Sequence, residues 1–155
     1  MAAKPKENWG AGVQFVQPVL ASLVFEAGPD ADLPEELGEV EGGFILNVTR
    51  LSHTEIVVEF GLDVDGIPDI SARCTFRAKY RLRSGSPEEQ DPEAALKGVA
   101  TKLAPAMLYP FVREALQRSA VQAGLPAFLV PIVSFAAMFE DFELPITPTQ
   151  EVNGS

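Results

Sequence analysis

Hydrophobic and polar residues alternate along most of the first half of the chain, with the two-residue period of β-strands. The alternation predicts strands at about Val13–Glu26, Phe44–Thr49, Glu55–Asp65 and Ala72–Arg83. Short turn signals, Ser52-His53 and the stretch from Asp65 to Asp69, separate the last three strands. The pattern therefore predicts a four-stranded antiparallel meander with one buried face and one largely polar face.

The first predicted strand contains a proline and is followed by a long acidic connection. Its buried face is predicted to carry Val13, Phe15, Val19, Ala21, Leu23 and Phe25. Pro18 has no N–H to donate, which favours an edge position or a bulge. The connection from Ala27 to Gly43 is too polar for a core strand, although Leu33, Leu37 and Val40 give it apolar points of attachment.

The second half of the chain has a helical pattern. Apolar residues recur at three- to five-residue intervals at Leu96, Val99, Leu103, Met107, Phe111 and Leu116. Pro105 and Pro110 predict a kink or break in this long helix, and a shorter helix is predicted from Ser134 to about Phe142. The predicted fold class is α+β, with the four-stranded sheet followed by a kinked long helix and a shorter C-terminal helix. Flexible tails at 1–11 and 147–155 are expected to flank one domain at 12–146.

Composition narrows the environment and the partners. The 155 residues include 22 acidic and 12 basic side chains, for a net charge of −10, which disfavours nucleic acid and anionic membranes as general partners. With one cysteine, the chain cannot form an internal disulfide. It also has neither an apolar signal core at its N-terminus nor an apolar run long enough for a membrane span. We therefore expect a cytoplasmic protein.

Candidate chemistry is sparse. His53, the only histidine, lies in a predicted turn, and Cys74, the only cysteine, lies on the buried face of a predicted strand. A catalytic base needs a partner and a pocket, and one histidine with one cysteine cannot supply a zinc site. Carboxylates between Asp30 and Glu41 lack the spacing of a calcium loop and are interpreted as a solvated acidic loop. The sequence predicts no catalytic residue, no metal and no cofactor, and hence no enzyme.

A basic stripe on the last predicted strand has two interpretations. It comprises Arg73, Arg77, Lys79, Arg81 and Arg83. If the preceding turn is centred near Pro68, Glu59 faces Arg77, Asp63 faces Arg73, and Glu55 faces Arg81. Such pairs contribute about 0.2–1 kcal/mol each and fix the strand register. We favour this charge ladder over the alternative, a nucleic-acid binding site.

The segment from Pro105 to Phe139 resembles the C-terminal half of the SecB export-chaperone family. The matching positions are Leu108, Tyr109, Pro110, Phe111, Arg113, Gly124, Pro126, Pro131, Ser134, Phe135, Met138 and Phe139. The strong matching covers about a quarter of the chain, and the preceding strands with a long first connection fit the family's layout. The alternative is an unrelated pair of helices that pack through aromatic side chains.

The resemblance implies an ATP-independent holding chaperone that acts in protein export as a homotetramer, a dimer of dimers. Family members bind unfolded precursor polypeptides in apolar grooves, and the outer face of their sheet docks the motor SecA through acidic residues. By that resemblance we expect groove walls at Leu33, Leu37, Phe44, Leu46, Phe135, Met138, Phe139 and Phe142. Each of these residues could equally belong to the core.

The expected docking face departs from the family pattern. Glu26 matches it, but Ser22 stands where an acidic residue is expected, and Arg73 and Thr75 occupy the places of a leucine and a glutamate. We therefore expect weak or altered docking of SecA. Two other functions stay open: a chaperone dedicated to one client, such as an antitoxin, and an oligomeric interaction module without an open groove. A small-molecule enzyme is a remote further alternative.

Overall fold

A computed structural model describes residues 12–32, 42–125 and 139–146 of the chain. The described strands are β1 (Val13–Phe15), β2 (Val19–Ala27), β3 (Gly42–Ser52), β4 (Glu55–Val64) and β5 (Ile70–Leu82). A 3-10 turn (Pro87–Gln90), α1 (Pro92–Gly98), a π-helical segment (Val99–Leu103) and α2 (Ala104–Gln122) follow. The α+β class is confirmed.

The sheet contains five antiparallel strands rather than the predicted four. Its order is β1-β5-β4-β3, and β2 pairs with β5 on the same side as β1. The predicted first strand is therefore two strands, which meet different ends of β5. Pro18 lies between them, and because it has no N–H it cannot continue the ladder that Val16 ends by donating to the Lys79 carbonyl. The predicted edge position of this segment is confirmed.

A bulge changes which side chains of β2 face the core. The register shifts between Leu20 and Ser22, so that Leu20 lies beside Phe76 on the core face and Val19 lies beside Arg77 on the opposite face. The shared face predicted for Val19 and Ala21 is therefore wrong. Val13, Phe15, Leu23 and Phe25 do lie on the core face, because the break at Pro18 and the bulge each shift the alternation by one residue, and the two shifts cancel.

The hairpin of β4 and β5 has the predicted register. Glu59 faces Arg77, Asp63 faces Arg73, and Glu55 faces Arg81. The connection from Asp65 to Asp69 turns through two residues with positive φ, Gly66 at 91° and Asp69 at 63°. Both residue types tolerate this region better than branched side chains do, so the local sequence supports this turn.

The core lies between one face of the sheet and α2. Its fully buried members include Ile56, Val58, Phe60, Tyr80, Leu96, Leu108, Val112 and Leu116. Burying a side chain of this kind contributes about 1.5–3 kcal/mol. Cys74 is part of this core, and burial raises its pKa to about 11. The interpretation of Cys74 as a packed hydrophobic residue is confirmed.

The helical half is interrupted near Pro105, where the π-helical segment separates α1 from α2, and α2 continues through Pro110. Asp91 caps α1 by accepting from the Ala94 N–H at 3.3 Å, and Pro92 occupies the first turn. In the π-helical segment, Ala104 N–H donates to the Val99 carbonyl five residues earlier. Pro105 follows at once, and this wider turn accommodates a residue that has no N–H for the carbonyl four residues before it.

The predicted C-terminal helix lies largely outside the described residues. Its described end, from Phe139 to Asp141, forms a turn in which the Phe142 N–H donates to the Phe139 carbonyl at 3.0 Å. The chain then runs without regular structure to Ile146. The predicted tails at 1–11 and 147–155, and most of the acidic connection, also lie outside the described residues.

Candidate functional site

A cluster of aromatic rings lies where β3, β4, α2 and the C-terminal segment meet. Phe60 of β4 stacks on Phe44 of β3 with ring centroids 5.6 Å apart. Tyr109 of α2 contacts Phe44 and Phe60 edge-on at 5.9 and 6.4 Å, and Phe139 contacts Phe60 edge-on at 6.3 Å. Such pairs contribute about 0.5–1.5 kcal/mol beyond the area they bury. Four separate elements therefore converge on one apolar surface.

Half of the predicted groove residues can be located. Phe44, Leu46, Phe139 and Phe142 are half-buried and pack against the core. Leu33, Leu37, Phe135 and Met138 lie outside the described residues. Phe44 and Phe139, which are far apart in the sequence, contact the same ring, that of Phe60. Their role as groove walls stays a prediction.

The aromatic cluster adjoins an edge of the sheet. β3 pairs with β4 along one side, and none of the described strands pairs with its other side. An edge strand presents backbone N–H and C=O groups that can accept a further strand. Apolar side chains thus lie beside a strand edge that none of the described strands covers.

A buried arginine holds the elements around this site together. Arg50 continues the core-facing series Phe44, Leu46, Val48 on β3, and its side chain is only 3% exposed. Its guanidinium pairs with Glu93 of α1 at 2.7 Å and donates to the carbonyls of Ser52, His53 and Pro145. The hydrogen bond from Arg50 lowers the pKa of Glu93.

Arg50 was not identified from the sequence as a site residue. The sequence nevertheless indicated it, because Arg50 follows Phe44, Leu46 and Val48 at alternate positions that are otherwise apolar. A charged residue buried at such a position needs hydrogen-bonding partners.

A second apolar surface, which sequence reasoning missed, lies at the opposite edge of the helix-covered face. Leu20 and Leu23 of β2 and Phe111 of α2 are 50%, 41% and 40% exposed. Phe111 reaches the sheet through Phe76, with ring centroids 5.5 Å apart. The bulge at Ala21 places Leu20 on this face, and an apolar patch of this kind marks an interaction surface.

The residues of the expected docking face lie on the outer face of the sheet. Ser22 Oγ lies 3.0 Å from Thr75 Oγ1, and Thr75 donates to Glu59 Oε2 at 2.8 Å. Thr75 is fully buried, whereas Glu26 and Arg73 are exposed. Thr75 therefore contributes to the packing of this face. The docking role of the four residues Ser22, Glu26, Arg73 and Thr75 stays a prediction.

The charge ladder is formed only in part. Arg73 lies 3.9 Å from Asp63, its predicted partner. Glu55 instead approaches Lys79 at 3.7 Å, on the diagonal, and Glu59 is engaged by Thr75. At two of the three predicted positions, the two residues face each other in the backbone register but do not form the predicted ion pair. The ladder therefore does not account for the whole basic stripe.

The described residues contain little catalytic or metal-binding chemistry. His53 is exposed in the turn between β3 and β4. Within the described ranges, no three His, Cys, Asp or Glu side chains come together as metal ligands would.

In the described part of the chain, every helix is too short or too polar to cross a bilayer.

Comparison with known proteins gives one consistent family. Residues 48–143 match the family described as preprotein translocase subunit SecB. The protein-export protein SecB of Anaplasma marginale, in strains Florida and St. Maries, is 35% identical over 102 residues, which cover 66% of this chain. The chain spans about half (52%) of the length of these curated relatives.

A solved structure shares the fold. It is a SecB-like chaperone of Mycobacterium tuberculosis in complex with a peptide from an antitoxin. The match has a TM-score of 0.62 at 19% identity and covers 83% of this chain and 92% of that chain.

Proposed function

The chain belongs to the SecB family, and we propose that it is an ATP-independent holding chaperone that binds unfolded polypeptides beside β3. The observation that carries this proposal is the pair of half-buried rings Phe44 and Phe139 on the aromatic cluster, beside the edge of β3 with which none of the described strands pairs. An unfolded client offers apolar side chains and unpaired backbone groups together. A surface that accepts both binds clients without reading their sequence.

The binding step needs no chemistry beyond association. A client segment that lies along β3 gains backbone hydrogen bonds, while its alternate side chains reach the rings on the helix-covered face. Neither contribution requires a nucleotide, a metal or an enzymatic step. We therefore propose that Phe44, Leu46, Phe139 and Phe142 line the groove, together with Leu33, Leu37, Phe135 and Met138.

The family and the residues of the outer face support further parts of the proposal. We propose a cytoplasmic homotetramer, a dimer of dimers, built from one domain at 12–146, in which SecA docks weakly or differently. Ser22 and Thr75 replace acidic residues of the family pattern, and Arg73 adds a positive charge. A tight, salt-sensitive complex with SecA that is lost when Glu26 is replaced would refute the docking proposal.

A second candidate function is a chaperone dedicated to one client. The structural relative from Mycobacterium tuberculosis was solved with a peptide from an antitoxin, and weak docking to a general export motor would suit such a role. The two functions differ in the range of clients. A general holding chaperone protects unrelated proteins, whereas a dedicated one protects its own client alone.

The proposal is tested by suppression of aggregation without ATP. Two unrelated denatured proteins are diluted into increasing molar ratios of the full chain, and light scattering is recorded. We expect suppression of both near stoichiometric ratios. Protection of neither would remove the general function and favour a dedicated chaperone or an interaction module.

A matched pair of variants assigns the activity to the groove. Phe44→Ser removes a ring from the aromatic cluster, whereas Ile45→Ser makes a similar apolar-to-polar change on the other face of β3. We expect Phe44→Ser to raise the amount of chaperone needed for half-suppression by about five-fold or more, since apolar burial of one ring is worth a kcal/mol or more. Equal losses in both variants would place the activity elsewhere.

A further inference from the structure

The outer face of the sheet has an open depression where β1 lies against β5. Its volume is about 490 Å³, and its lining includes Gln14, Val16, Glu55, Lys79, Arg81 and Arg83. These six residues share the outer face, because Gln14 lies opposite Arg81 and Glu55 lies in the same row. Three cations and one carboxylate leave an excess of two positive charges in a chain whose net charge is −10.

The charge of Arg81 is held in place by a neutral partner, and none of the described carboxylates forms an ion pair with it. Its Nε and Nη2 atoms donate to Gln14 Oε1 at 3.2 and 2.7 Å, and Gln14 is uncharged. Glu55, which lies directly opposite Arg81 in the register, approaches Lys79 at 3.7 Å instead. The guanidinium is therefore oriented across the depression while its positive charge stays available to a ligand.

Arg77 on β5 resembles Arg81 in that no described carboxylate forms an ion pair with it. Glu59, its register partner, accepts the hydrogen bond of Thr75. Arg77 forms no ion pair with any residue that the structure describes. Arg77, Lys79 and Arg81 thus present a row of cations at alternate positions of one strand. Residues two apart on a strand are separated by about 6.5–7 Å, which is also the spacing of alternate side chains in an extended peptide.

Apolar side chains border this row. Val16 and Val19 lie on the outer face beside Lys79 and Arg77, and they are 59% and 51% exposed. On the other side, the row is bordered by Glu55, Glu59 and Asp63 of β4. A ligand that fits must be anionic, narrow enough to avoid the carboxylates of β4, and able to use apolar contacts.

We propose that the row Arg77, Lys79, Arg81 and the adjoining depression bind an extended acidic peptide segment of a partner protein, with apolar residues beside its carboxylates. Charge complementarity favours this occupant. A nucleic-acid duplex is too wide to lie on one strand and would cover the carboxylates of β4. The site lies on the opposite face of the sheet from the aromatic cluster, so the proposal does not depend on the client groove.

The test uses the full chain and a fluorescent ten-residue peptide of alternating Glu and Val, followed by anisotropy. We expect saturable binding that weakens by about ten-fold or more as salt is raised from low to several hundred millimolar, since exposed charges are screened. The peptide with Gln in place of every Glu should not bind. The double variant Arg77→Glu with Arg81→Glu should weaken binding by about ten-fold or more.

A matched control separates the site from general electrostatics. Lys97→Glu with Lys102→Glu makes the same change in net charge on exposed helical lysines, and we expect its affinity to stay within about two-fold, because those charges lie away from the outer face. Far-ultraviolet circular dichroism checks that both double variants fold. Suppression of client aggregation by Arg77→Glu with Arg81→Glu should equal that of the wild type, which separates this proposal from the chaperone proposal.

Several outcomes would overturn the inference. One is equal binding of the Gln peptide, and another is equal affinity of the two double variants. Tighter binding of single-stranded DNA than of the acidic peptide would assign the row to nucleic acid. A lower molecular mass of Arg77→Glu with Arg81→Glu in light scattering would show that a second copy of the chain occupies this face.

Discussion

The helix-covered face and the outer face of the sheet are built from the same strands but are stabilised differently. On the helix-covered face, Phe60 and Tyr80 are fully buried under α2. On the outer face, the residue after Phe60 is Gly61, and buried Thr75 packs over it. The first face depends on the volume of its side chains, and the second depends on close backbone approach and on polar contacts.

This difference suggests how the two faces divide their roles. The half-buried rings at the edge of the helix-covered face, Phe44, Phe139 and Phe142, give a non-directional apolar surface, which suits ligands of many sequences. Oriented cations on the outer face require a ligand of matching charge and spacing. One sheet can therefore carry a permissive site on one side and a selective site on the other.

The largest expected effect concerns the helix-covered face. Phe60→Ala removes the ring that Phe44, Tyr109 and Phe139 contact. The expected loss is about 3–5 kcal/mol of unfolding free energy, because a buried cavity remains. Val57→Ala, on the outer face of the same strand, should cost about 1 kcal/mol or less, because its side chain is only half-buried. Urea unfolding measures both, and similar losses would remove the distinction between the faces.

A smaller but still clear effect is expected on the outer face. A Cβ at Gly61 would clash with the carbonyl of Cys74 and with the Thr75 side chain, so Gly61→Ala should cost about 1–3 kcal/mol by overpacking. Gly98→Ala is the matched control, since Gly98 is helical and has open space at its Cβ position. That variant should gain about 0.5–1 kcal/mol from helix propensity. A neutral Gly61→Ala would mean that this face is not closely packed.

The sequence was a better guide to backbone pairing than to side-chain partners. The β4–β5 register followed from the position of one short turn and from facing charges, both of which are local. Glu55, however, can reach either Arg81 or Lys79, and register alone does not choose between them. The basic stripe was evident in the sequence, but which of its charges pair with a described carboxylate was not.

Two further differences between the predicted and the observed structure have specific physical causes. Pro18 gave a correct indication of an edge, but a bulge is a one-residue event that hydrophobic alternation does not locate, so Leu20 was assigned to the wrong face. Arg50 joins β3, α1 and the segment at Pro145. Those elements are far apart in sequence, and no short motif connects them. Of the eight residues proposed for the client groove, the four that the structure describes pack against the core.

Arg50 is an exception to the difference between the two faces, because it places a charge on the helix-covered face. Its pair with Glu93 gives the smallest expected effect. The carboxylate of Glu93 is 68% exposed, so solvent screens the pair and Glu93→Gln should cost less than about 1 kcal/mol at neutral pH. The pKa of Glu93 is lowered in the folded state, chiefly by the hydrogen bond from Arg50. The stabilisation is therefore present above the unfolded pKa and is lost as the pH falls through the lower folded value.

Urea unfolding of the wild type and Glu93→Gln at several pH values measures this effect. The difference between the two should shrink towards zero as the solution is acidified below the ordinary range of a glutamate. Glu143→Gln, at an exposed position in the C-terminal segment, should show no such convergence. A Glu93→Gln difference that stayed the same on acidification would contradict the pairing and would mean that Arg50 is stabilised by its three carbonyl partners alone.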